Sequence, residues 1–142
     1  MNYSISRCTK PPGLIQRALT YYLELNEHGL YIICLGKATA QPIARDTLSQ
    51  VVANEAVKFF DKRYEKEIQK NEEQLRKIGT IEMAKNKNCF YIPIEKIESF
   101  RIKILHDKSV QIKLKGSVKR TFICDPAFGR IASTIESIIN KK

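Results

Sequence analysis

The chain has 142 residues, 43% of them hydrophobic and 28% charged, and carries a formal net charge of +10 with pI ≈ 9.5. That balance suffices for one domain with its own core and excludes a disordered chain. No apolar run approaches the roughly 20 residues of a membrane-spanning helix, and residues 1–13 lack the apolar stretch of a secretory signal. The expectation is therefore a cytoplasmic chain, free or held peripherally at a membrane surface.

In chain order, Tyr3 to Arg7 reads as a short edge strand, broken off by Lys10-Pro11-Pro12-Gly13. Ala18 to Leu25 and Leu30 to Leu35 are apolar, aromatic and β-branched, and they flank Asn26-Glu27-His28-Gly29, whose glycine is free to take a positive φ. The two runs read as a hairpin. Leu14, Ile15, Ala18, Leu19 and Tyr22 also satisfy a helical period, so a helix starting near Leu14 competes for the first arm.

Lys37 to Arg45 is a polar connection containing Pro42, and from Asp46 to about Lys85 there is no proline and one glycine, Gly79. Residues 46–85 thus read as a helical insertion. At 1.5 Å per residue, about forty residues would span roughly 60 Å, twice the diameter of a small domain. This predicts a break between Gln69 and Gly79 or a projecting arm. Leu48, Val51, Val52, Ala56, Phe59 and Phe60 make the first half apolar, whereas the second is charged, with Tyr64, Ile68, Leu75 and Ile78 as a sparse stripe. Those four are candidate contacts for association with a second copy. The charges, paired as Glu72 with Arg76 and Glu73 with Lys77, equally describe a solvated face.

The last fifty residues or so hold the clearest pattern. Phe100, Ile102 and Ile104 alternate with Arg101 and Lys103, and Val110, Ile112 and Leu114 alternate with Gln111, Lys113 and Lys115, each run with one buried and one wet face. His106-Asp107-Lys108 and Gly116-Ser117 are short enough to make antiparallel hairpins. Val118, Phe122 and Cys124 continue the apolar face on a third strand. Arg120 interrupts that face, which predicts an edge strand or a bulge. Asp125 then caps a helix from Pro126 to Asn140, whose stripe of Phe128, Ile131, Ile135, Ile138 and Ile139 needs an apolar surface to lie on.

Strands, an inserted helical stretch, more strands and a closing helix resemble the pleckstrin-homology-like (PH-like) superfold, particularly its bacterial members. The residues that carry the resemblance are the run from Gly29 to Lys37, the run from Tyr91 to Phe100 and the final helix. They cover about two thirds of the chain, as loose apolar patterns rather than invariant chemistry. The resemblance implies an α+β domain over residues 1–142: an antiparallel, strongly bent sheet forming a PH-like barrel, with the C-terminal helix capping one end. Residues 46–85 depart from the simple form. Members of this fold bind phosphoinositides, peptides or other proteins, and fold alone does not choose among them.

Charge narrows the choice. Of the net +10, +7 lies between Lys85 and Arg120, where ten basic residues face three acidic ones. Arg101, Lys103, Lys113, Lys115 and Lys119 have the parity to share the wet face of the late strands, a candidate surface for a protein partner, for anionic lipid headgroups or for nucleic acid. The bland alternative is that lysines on exposed strands suppress edge pairing. For single-stranded nucleic acid, stacking aromatics are needed among the cations, and Phe100 and Phe122 both have core parity.

Catalysis has weaker support. His28 and His106 sit in turn segments, and although Glu27-His28 and His106-Asp107 are adjacent acid–base types, no triad, carboxylate pair or phosphate-gripping glycine loop accompanies them. Cys8, Cys34, Cys89 and Cys124 are dispersed, with no C-x-x-C and no nearby histidine, the pattern of reduced, mostly buried thiols rather than of a zinc site. The sequence reading is accordingly a non-catalytic binding module without metal or cofactor.

Overall fold

The computed structural model describes residues 2–10, 19–37 and 47–141, with the backbone alone for Lys10 and residues 47–62. Strands β1 (Tyr3–Lys10), β2 (Leu19–Leu25), β3 (Gly29–Lys37), β4 (Phe90–Pro93), β5 (Ser99–Ile104), β6 (Val110–Lys115) and β7 (Lys119–Cys124) form one antiparallel sheet in the order β4-β3-β2-β1-β7-β6-β5. The fold is therefore α+β, and the sheet is not closed. Leu19 and Tyr22 belong to a strand, so at these positions β-branched and aromatic neighbours outweigh the helical period; Leu14, Ile15 and Ala18 lie outside the described residues. Pro42 and most of the polar connection around it also lie outside them.

Two edge assignments change. β1 lies inside the sheet between β2 and β7, and β7 lies between β1 and β6, so neither is an edge. β1 carries a bulge instead: its register with β2 shifts between Ile5 and Cys8, and Arg7 takes φ 54°, the left-handed region that L side chains seldom enter. Gly29 also serves differently from the expectation. Its φ is not positive; a Cβ there would strike the Ile92 carbonyl oxygen of β4, so glycine is needed for the close approach of the two strands.

The true edges, β4 and β5, are consecutive in the chain, joined by a 3-10 turn at Ile94–Lys96. Seven strands laid flat would separate them by about 29 Å, more than the roughly 20 Å that the link from Pro93 to Ser99 can span. Consequently the sheet curls. Its concave side collects one core from every strand, including Ile5, Leu23, Ile32, Ile92, Phe100, Ile112 and Phe122.

Over this core lies α3 (Gly129–Asn140), which follows a 3-10 turn at Pro126–Phe128. The α-helix proper thus begins three residues later than Pro126. Asp125 caps the turn as expected, its carboxylate accepting from the Ala127 N–H at 2.9 Å. Ala132, Ile135 and Ile139 are buried in the core, while Phe128, Ile131 and Ile138 pack half-buried around them.

Between β3 and β4, α1 runs unbroken from Thr47 to Ile78 and is followed by the single turn α2 (Thr80–Met83). The break falls at Gly79, whose φ of 87° ends the helix. From its midpoint onward α1 is docked on the convex side of the sheet, where Ile68 and Met83 bury against Tyr31, Ile33 and Leu35 of β3. Arg7, turned outward by the bulge, forks to Glu65 at 2.8 Å and to Glu72 at 2.9 Å, and Asn71 donates to the Leu35 carbonyl at 2.6 Å.

Candidate functional site

Pairing of β5, β6 and β7 turns the charged residues into rows. Arg101 lies opposite Lys113, which lies opposite Thr121; one step away Ser99 faces Lys115, which faces Lys119; on the other side Lys103 faces Gln111. Directly opposite residues in such a sheet are about 5 Å apart, and next-but-one residues along a strand about 7 Å apart. All of these side chains stand on the face away from Phe100, Ile112, Leu114 and Phe122, which are buried. Arg101, Lys103, Lys113, Lys115 and Lys119 are exposed.

Four of the five converge. Arg101, Lys113, Lys115 and Lys119 line a concavity of about 310 Å³, whereas Lys103 stands beyond it. Among the described residues the one ion pair formed by these five cations is Lys115 with Glu98 at 3.5 Å, both more than half exposed and hence weakly coupled. Like charges directly opposite across a sheet repel. Arg101 opposite Lys113 and Lys115 opposite Lys119 therefore work against the fold rather than for it. Edge protection does not account for them either, because Lys113, Lys115 and Lys119 lie on interior strands.

Arg120 borders this concavity from the other face of β7. By parity it points toward the core, and its guanidinium lies over the Phe90 ring, 5.3 Å from the centroid, while Nη1 donates to the Lys119 carbonyl at 2.9 Å. Its Nε is buried and has no hydrogen-bond partner. Such an orphan donor is costly unless something accepts from it. The signal was present in the sequence as an arginine on an otherwise apolar face, where it pointed to strand irregularity rather than to a site. Nearby, burial pushes the Tyr21 hydroxyl up to about 12, an effect that the positive charge of Arg120 partly offsets.

The apolar stripe of α1 does not form one surface. Ile68 is 4% exposed and packs on β3, Leu75 packs half-buried at the same place, Tyr64 is half-buried, and Ile78 is 44% exposed at the helix end. Both histidines are exposed turn residues. His28 lies 3.5 Å from Glu27, and its backbone N–H donates to the Asn26 side chain, a local turn bond. All four thiols are free, Cys8 and Cys124 buried, Cys34 and Cys89 half-buried. Among the described residues no group of three or more metal-ligating side chains comes together, and no helix is long and apolar enough to cross a membrane. Compared with protein-family models, with curated proteins and with solved structures, the chain has no significant match.

Proposed function

We propose that this chain is a non-catalytic binding module of PH-like type that recognises an acidic surface, of lipid headgroups or of a protein partner, through the basic face of β5–β7. The observation that carries the reading is the convergence of Arg101, Lys113, Lys115 and Lys119 on one concavity. Clustered cations in a shallow depression raise the local potential and attract anions at a distance. A carboxylate or phosphate placed there would also relieve the cross-strand repulsion. The PH-like assignment draws support from the two successive meanders, β1 to β4 and β5 to β7, and from the helix lying over the common core.

The test is cosedimentation with vesicles of phosphatidylcholine alone or with phosphatidylserine, alongside titration with polyglutamate and duplex DNA, each at low and high salt. Binding to the anionic vesicles or to polyglutamate, weakened by salt and lost in the Arg101→Glu, Lys113→Glu double variant, is expected. Lys103→Glu should reduce it less, because Lys103 stands outside the concavity. Binding to DNA alone would favour a basic nucleic-acid-binding domain. Binding that survives the double variant would remove the site.

A further inference from the structure

The two halves of the sheet, β4-β3-β2-β1 and β7-β6-β5, meet along one strand pair. There β1 and β7 share a single ladder position, Thr9 opposite Ile123, reinforced by the Thr9 hydroxyl donating to the Ile123 carbonyl at 3.3 Å. Continuing that antiparallel register by one step brings Cys8 beside Cys124, and the two thiols interact. Opposed residues in an antiparallel pair have Cα atoms about 4.5–5.5 Å apart, inside the roughly 4.4–6.8 Å that a disulfide accepts. Both side chains are buried, at 0% and 3% exposure, and the Cys8 thiol hydrogen-bonds to the Cys124 sulfur. The other two thiols are also neighbours, the Cys34 backbone N–H donating to the Cys89 sulfur at 3.2 Å, but both are only half-buried.

We propose that Cys8 and Cys124 are a dithiol–disulfide pair, oxidised by a small hydroperoxide, that fastens β1 to β7 across the seam of the sheet. The hydrogen bond from Cys8 favours the thiolate on Cys124 and holds it below the ordinary thiol value. Its sulfur attacks one peroxide oxygen, the O–O bond breaks, and water leaves, giving a sulfenic acid on Cys124. The Cys8 sulfur then attacks that sulfur, the S–O bond breaks, and a second water leaves with the Cys8 proton. Two thiols and one hydrogen peroxide thus become one disulfide and two waters, two electrons passing from sulfur to oxygen. Because the bond would close a loop containing most of the chain, it restricts the unfolded state strongly.

Hydrogen peroxide added to the purified full chain, followed by proteolysis without reductant and mass spectrometry, tests this. Expected are an intact mass lower by two hydrogens, a crosslinked peptide containing Cys8 and Cys124, reversal by dithiothreitol, and a melting temperature raised by about 5–10 °C. A Cys34→Ser, Cys89→Ser double variant should form the same link. A link between Cys34 and Cys89 alone, or oxidation that ends at sulfinic acids with no crosslink, would overturn the proposal. So would a Cys8→Ala variant that shows the same mass loss and the same rise in melting temperature.

Discussion

The Glu136 carboxylate on α3 accepts a 2.7 Å hydrogen bond from the backbone N–H of Ile102 on β5. β5 is an edge strand, and just past its end the Leu105 amide donates to the Ser109 carbonyl, so by alternation the Ile102 amide, three residues back, points to the open side. Glu136 therefore covers a donor that would otherwise offer itself to a strand of another molecule. Glu136→Ala is expected to cost about 1–3 kcal/mol, measured by urea denaturation, and to promote association detectable by light scattering. Glu136→Gln, which keeps an acceptor, should lose less. Equal stability of wild type and Glu136→Ala would show that the amide is satisfied by water.

Ile135 is fully buried between α3 and the strands. Truncation to alanine removes apolar contact and leaves a cavity, so Ile135→Ala should destabilise by about 2–5 kcal/mol. An unchanged denaturant midpoint would contradict the packing of α3 on the core.

The late strands were legible because each carries a strict alternation: Val110, Ile112 and Leu114 had to share a face, and they do. The alternation has one exception, Ile104, which has core parity yet is 58% exposed where β5 ends. Cation parity was equally readable, but which cations converge depends on strand order and register. Parity alone therefore groups Lys103 with the other four cations, although it stands beyond the concavity they line. Strand order itself follows from contacts over long sequence separations, to which local periodicity is blind; Tyr3 to Lys10 reads the same at an edge as in the middle of a sheet. For α1, the apolar stripe was visible while its use was not, because a helix face that docks within the chain and one that docks on a partner have the same pattern.

Ile68 separates those two uses. Its side chain packs on β3 with Tyr31, Ile33 and Leu35, so Ile68→Asp buries an unpaired carboxylate. The expected result is a lower melting temperature, equivalent to about 3 kcal/mol or more, at unchanged molecular mass. A change of mass with an unaltered melting curve would mean that this residue serves association instead.

Alkaline stability follows from Tyr21 and Tyr22. Burial pushes both hydroxyls up to about 12, with the hydrogen bond from Tyr22 to Glu24 adding to its shift. An unfolded tyrosine ionises near pH 10. As pH rises the unfolded chain loses these protons first, so the stabilisation is fully present below about pH 10 and is lost between about pH 10 and 12. Urea midpoints measured across that window should fall, and Tyr21→Phe should flatten the decline. A midpoint constant from pH 9 to pH 12 would argue against burial of either ring.

The central place of β1 bears on the order in which the chain acquires its structure. β1, β2 and β3 follow one another and can zip together early, yet the second partner of β1 is β7, and Thr9 and Ile123 are separated by 114 residues. Until β7 is made, one side of β1 stays unpaired and the core lacks Phe122, Cys124 and all of α3. Long-range pairing of this kind is slow, because loop closure must precede the contacts that reward it. On the ribosome the first half of the sheet would wait as an open template. A chain cut short after Lys115 should be prone to aggregate rather than merely less stable.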